Sequence, residues 1–140
     1  MNTSKHDAAV HVDPSPSLRQ WWSGIATLLV LAVFAQAVFA GLMLSGVEWG
    51  RTAHALNAGV LMASTLAAGL VSLVTLRRVP RGLKLGLTLL SLALVIILQA
   101  GVGKSAAQGA NLMWVHIPLG VALVGLAGQA ASVARRLGAE

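Results

Sequence analysis

The sequence predicts an all-α protein, an up-down four-helix transmembrane bundle preceded by a disordered N-terminal tail. Composition, the spacing of charged residues and the distribution of bases predict it. The 140 residues are 56% hydrophobic and only 10% charged, whereas soluble chains run about 25% charged. Mean hydropathy is +0.79. The acids are Asp7, Asp13, Glu48 and Glu140, three of them in the terminal segments. A dinucleotide-binding domain, a carboxylate-pair hydrolase and a solvated DNA reader are therefore not expected.

Each helix follows from an uncharged run. Arg19 and Glu48 bracket the first, Arg51 and Arg77 the second, Lys84 and Lys104 the third, and Lys104 and Arg135 the fourth. Each meets the requirement of about 20 residues for crossing hydrocarbon. The expected spans are 22–45, 52–76, 85–102 and 111–134. Trp21 and Trp22 are expected at one interface, Trp49 and Trp114 at the other. Pro80, in the short loop 77–84, cannot continue a helix. Two domains of unequal character result: a polar cytoplasmic tail over 1–19 and a four-helix transmembrane domain over 20–140. The tail carries Lys5, His6, Asp7, Pro14 and Pro16 and does not read as a secretory leader. No convincing internal repeat is visible between the two hairpins.

Orientation follows from the bases. Lys5, Arg19, Arg77, Arg78, Arg81, Lys84, Arg135 and Arg136 fall on one side, Arg51 and Lys104 on the other. Eight against two places both termini in the cytoplasm. The expected location is the bacterial inner (plasma) membrane, multi-pass, in contact with membrane lipid. The net charge of +6 is accounted for by these positions, so no nucleic-acid partner is expected. The chain has no cysteine, which removes disulfides, Fe–S clusters, Cys–zinc sites and covalent haem attachment.

Two histidines stand inside apolar spans, His54 in the second and His116 in the fourth. Counted from the expected helix starts at 1.5 Å per residue, both lie roughly 5–8 Å deep. In an up-down bundle these helices are diagonal, their axes roughly 11–14 Å apart. That gap exceeds a direct hydrogen bond and suits two imidazoles approaching one iron. Ala58 and Gly120 lie four residues inward of each histidine, leaving room on the same helical face. Ala40, Gly41, Ala100, Gly101 and Gly103 allow ring edges near the backbone. Arg51 and Lys104 are outer cations suited to haem propionates, or alternatively interface anchors. Gln36, Asn57 and Gln99 are candidate donors that orient imidazoles or bind a substrate. Met43 and Met113 read as packing residues. The polar stripe Asn57, Ser64, Thr65, Ser72 and Thr75 reads as helix-contact chemistry.

The chain resembles one four-helix half of the haem A synthase family over most of residues 30–130. The resemblance rests on Gln36 in a first helix ending near Gly41 and on a histidine at the outer start of helix two. It also rests on Leu98-Gln99-Ala100-Gly101-Val102-Gly103 closing helix three and His116-Ile117-Pro118-Leu119-Gly120 opening helix four. The histidines are 62 positions apart, which suits that unit. The resemblance implies one non-covalent haem b with His54 and His116 as its metal ligands. The chain departs from the family in having one half rather than two. It also carries Arg51 where the family's cofactor half has an acid.

Two functions follow as alternatives. One is an integral membrane b-type haem protein for electron transfer, with its haem near the outer face and a quinone, a redox protein or a homo-oligomeric neighbour as partner. The other is a haem-free accessory subunit of a membrane complex, its histidines packed or bridging water. Two intramembrane histidines are too few for a two-haem cytochrome. A proton-coupled multidrug transporter would need an embedded carboxylate, and no span has one. No catalytic set emerges from the sequence. Orientation is directly testable because the chain is cysteine-free: a single cysteine in loop 77–84 should resist impermeant maleimide in intact cells and react after lysis. Labelling from outside would reverse the orientation.

Overall fold

A computed structural model describes residues 13–139. It contains four helices: α1 (Pro16–Leu44), α2 (Gly50–Thr75), α3 (Gly82–Ala107) and α4 (Met113–Arg135). Each is long and apolar enough to cross a membrane. Helix α1 packs on α2 and α4, and α3 also packs on α2 and α4, while the diagonal pairs α1/α3 and α2/α4 make no contact. Short connections impose this antiparallel order. The result is the expected up-down four-helix bundle, a multi-pass membrane protein.

Helix α1 begins earlier than the expected span and takes in 16–19, the end of the expected tail. Ser15 caps it, its hydroxyl accepting from the Leu18 N–H at 3.2 Å, and Pro16 occupies the first turn. Proline has φ preset for that position and loses no bond there. The rest of the tail, with His6 and His11, lies outside the described residues. At the other end of α1, Gly46 adopts φ +79°. This lets Val47 N–H return to the Leu42 carbonyl at 3.0 Å, closing the helix through a left-handed glycine.

Helix α2 stops at Thr75, before Pro80 is reached. The turn is made instead by Arg81, at φ +64°, an unusual conformation for a side chain with a Cβ. Gly82 follows, where a Cβ would collide with the Leu76 carbonyl. Pro80 and Arg81 then hold the C-terminal segment: Gly138 N–H donates to Pro80 O at 3.2 Å and Arg81 Nε to Ala139 O at 2.8 Å. The loop 76–82, the end of α4 and Pro14, which lies against Gly138, thus gather at one end with most of the arginines.

The closed core belongs to that basic end. Its buried apolar residues run from Trp22 to Val33 on α1, Leu61 to Leu76, Leu85 to Ile96, and Leu123 to Leu137. Small residues bring α2 and α3 together there: Gly69 lies against Leu90, and Gly86 against Leu73 and Ser72. Small residues at such contacts let membrane helices approach closely. In the other half, over 34–60 and 97–122, Gly50 is the only residue that is buried. The buried core is thus concentrated at one end of the bundle.

One reading needs correction and another needs detail. Trp21 is 73% exposed but Trp22 only 6%, because neighbours on a helix are about 100° apart; Trp22 is core and only Trp21 faces outward. The polar stripe does meet other helices, with Thr65 and Ser72 buried and Ser72 against Gly86 of α3, but its hydroxyls make no hydrogen bond across to them. Ser64, Thr65, Ser72 and Thr75 each bond to a carbonyl three or four residues back in α2, the local satisfaction such side chains can reach unaided. Asn57 alone in the stripe bonds to another helix.

Candidate functional site

The histidines lie in the half with the fewest buried side chains. His54 is four residues into α2 and His116 three into α4, so both sit about 5–6 Å along their helices. Expected spans and observed helices differ by about two residues at these starts, and the matched depth survives because the shifts are small. Both side chains are half-buried. They lie on the diagonal pair of helices.

His54 is fixed through both ring nitrogens. Its Nδ1 lies 3.2 Å from the Gln36 backbone carbonyl, and a carbonyl only accepts, so Nδ1 carries the proton. Its Nε2 lies 3.2 Å from Gln36 Nε2, and an amide nitrogen only donates, so Nε2 presents its lone pair. Gln36 Nε2 also donates to the His54 carbonyl at 3.0 Å. The amide cannot flip, because Asn57 Nδ2 donates to Gln36 Oε1 at 2.7 Å and to the Ala32 carbonyl at 2.9 Å. Two helices thus set one tautomer, with Nε2 as the basic nitrogen.

His116 is held differently. Gln99 Nε2 donates to its backbone carbonyl at 2.8 Å. Gly103 backs the imidazole: a Cβ there would lie 2.7 Å from Cε1 and 3.2 Å from Nδ1. Yet Nδ1 of His116 and Oε1 of Gln99 are buried with no hydrogen-bond partner. Buried polar atoms without partners are uncommon. The α3–α4 pair is an incomplete version of the α1–α2 pair.

A repeated device therefore links the hairpins. In each, a glutamine of the first helix donates to the backbone carbonyl of the second helix's histidine, over 18 residues in one and 17 in the other. Sequence reading found no repeat because only two residues match, at spacings that differ by one. The signal that could have found it is the pair Gln36…His54 and Gln99…His116 itself.

The glycines divide by environment. Gly120 makes room for the Gln99 amide, whose Nε2 would lie 3.2 Å from a Cβ there, and Ala58 is the small residue at the matching place in α2. Gly103 accommodates the His116 ring rather than a ligand's edge. Gly41 and Gly101 face open space. Arg51 and Lys104 are exposed. Arg51 stands one turn from His54, and Lys104 follows the glycine that backs His116. Neither forms an ion pair among the described residues. Pro118, inside α4, cannot donate to the Trp114 carbonyl and so weakens the turn that carries His116. The side chains of Met43 and Met113 make no hydrogen bond among the described residues.

Among the described residues, no three histidine, cysteine or acidic side chains converge. No family model, curated protein or solved structure matches the chain.

The two glutamines should differ in weight. Gln36→Leu removes three side-chain hydrogen bonds and frees His54 Nε2, while Nδ1 keeps the backbone carbonyl of residue 36, whereas Gln99→Leu removes one bond together with one orphaned oxygen. Side-chain hydrogen bonds between membrane helices are worth about 0.6 kcal/mol on average and up to about 1.7. Gln36→Leu should therefore cost roughly 1–2 kcal/mol and Gln99→Leu less than about 0.6. Thermal unfolding in detergent checks this, and equal losses would refute the asymmetry.

Proposed function

We propose that the chain is an integral membrane b-type haem protein, with His54 and His116 as the axial pair of one non-covalently held haem near the outer face. The observation that carries this reading is the state of His54: Nδ1–H on a backbone carbonyl, Nε2 with its lone pair available, at the depth of His116. A backbone carbonyl on the distal nitrogen is what orients and strengthens a metal-binding imidazole. The half of the bundle around both rings is the half with the fewest buried side chains.

The residues fit such a group. Gln36 releases the His54 lone pair by giving up one of its two amide bonds, keeping the other on the His54 carbonyl. Asn57 still holds its oxygen. Gly103 and Gly120 keep the His116 ring and the Gln99 amide close to the backbone. Arg51 and Lys104, free of ion pairs, suit two propionate carboxylates. When bound, a bis-histidine haem supplies one-electron transfer and leaves no open axial position for oxygen. With one redox centre near one face, the electron partner is a quinone, a redox protein or a second copy of the chain. The distribution of bases orients the arginine-rich end to the cytoplasm, which fits the bacterial plasma membrane.

The second reading, a haem-free accessory subunit, is favoured by one observation: Gln36 already satisfies both His54 nitrogens. Optical spectra of haem-supplemented protein separate the two. Wild type should give a low-spin six-coordinate spectrum on reduction. His54→Ala and His116→Ala should each lose haem or turn five-coordinate and high-spin, while the His6/His11 double variant should match wild type. Haem should raise the melting temperature of wild type only, because binding stabilises the folded state. Arg51→Ala with Lys104→Ala should weaken haem retention or shift the potential without preventing insertion. A colourless wild type would favour the accessory subunit, and wild-type spectra from both histidine variants would exclude these ligands.

A further inference from the structure

The neighbours of His54 set its tautomer, and an axial partner matched to it needs the same tautomer at His116. The atoms able to set it belong to one bonded pair of residues. Gln99 donates through Nε2 to the His116 carbonyl at 2.8 Å. A carbonyl only accepts, so the amide cannot be turned over, and the end left without a partner is the oxygen. Gln99 Oε1 therefore needs a donor. The other buried atom of the pair without a partner is His116 Nδ1. That nitrogen donates when it carries the ring proton and accepts when it does not. Only the protonated form answers Oε1.

The first hairpin shows that one amide can serve two parts of a histidine. Gln36 Nε2 reaches the His54 carbonyl at 3.0 Å and the ring Nε2 at 3.2 Å. There Asn57, three residues past His54, donates to the glutamine oxygen at 2.7 Å, and the Gln36 backbone carbonyl takes the ring proton. Neither partner is repeated on the other side. The position three past His116 is Leu119, which has no donor, so Gln99 Oε1 stays open. No carbonyl takes His116 Nδ1. Both groups lie on glycine, the ring against Gly103 and the amide against Gly120, so no Cβ of the facing helix blocks their adjustment.

We propose that Gln99 is the positioning residue of His116: after a turn of the imidazole its Oε1 accepts the Nδ1 proton, while its Nε2 keeps the His116 carbonyl. His116 then presents Nε2 as its basic nitrogen, as His54 does. One rotation satisfies two buried atoms that otherwise have no partner. The ring exchanges contact with Gly103 for this bond, so the tautomer responds more than the stability. The use of that nitrogen toward iron rests on the haem reading above. The tautomer belongs to the chain without haem and is measured there.

The test is nitrogen-15 NMR of the full chain, histidine-labelled and free of haem, in lipid nanodiscs at about pH 8, where free imidazole is neutral. The His6/His11 double variant removes two rings from the spectrum, and His54→Ala and His116→Ala assign the others. His116 should carry its proton on Nδ1. Gln99→Leu should move its tautomer ratio about threefold toward Nε2–H, the average worth of one side-chain bond between membrane helices. The His54 signal should stay unchanged, which shows that the bundle is still folded. Gln99→Glu keeps an acceptor oxygen without the donor and should keep the proton on Nδ1. An unmoved His116 ratio in Gln99→Leu would overturn the proposal, since a glutamine that only joins helices leaves the tautomer alone. So would a wild-type His116 protonated on Nε2, or a Gln99→Glu protein that behaves as Gln99→Leu does. Colourless haem-supplemented protein with Nδ1–H on His116 would uphold this role of Gln99 and remove the haem reading. Haem binding with Nε2–H on His116 in the empty protein would do the reverse.

Discussion

In hydrocarbon a polar side chain has no water to fall back on, so each one must find its partner within the protein. That constraint organises the histidine half of this bundle. Gln36, His54 and Asn57 bond to one another and to three backbone carbonyls. The contact between α1 and α2 is specified there by five hydrogen bonds rather than by apolar packing. Closure by leucine and alanine, which have no directionality, is confined to the basic half. The division of labour is physical: the apolar half supplies packing, and the polar half supplies geometry.

The same constraint makes the α3–α4 side informative. Gln99 repeats the carbonyl bond of Gln36, but nothing there repeats Asn57. As a result Gln99 Oε1 and His116 Nδ1 remain without partners. In water such atoms would cost little; inside a bilayer each costs a kilocalorie or more, of order 1–3 kcal/mol. A chain retains such a cost when the atoms act on something else. The glycine that backs His116 and the proline two residues beyond it act in the same sense, since both give up local helix stability to hold a ring in a fixed place.

The fold was legible in the sequence because its signal is simple. Uncharged runs of span length and short loops leave few alternatives in a membrane, and diagonal placement of α2 and α4 follows from up-down order alone. The helix starts near the histidines could be placed within about two residues, since both abut polar turns. What the sequence hid were facts about direction. Trp21 and Trp22 look alike as a pair, yet one helical step of about 100° separates lipid from core. The hydroxyl stripe of α2 looks like an interhelical seam, but serine and threonine reach their own helix carbonyls first. Gly103 and Gly120 announced that space was needed without saying for what. Only coordinates assign that space to an imidazole and an amide.

Uneven burial is the step that joins packing to chemistry. A four-helix bundle with small residues along its seams can close along its whole length, as Gly69, Gly86 and Ala127 allow it to do at the basic end. At the histidine end Ala35, Ala40, Ala58 and Gly103 are equally small, yet none is buried. Small side chains there do not bring the helices into a filled core; the amides of Gln36 and Gln99 stand between them. Replacing those amides with leucine would fill part of the same volume at a gain in apolar packing, so ordinary stability does not explain their presence. Their bonds to the two histidine carbonyls do, because they fix the depth and rotation of both rings with respect to the helices opposite. The two imidazoles are thus fixed at one depth, in the half of the bundle where polar bonds rather than apolar packing set the geometry.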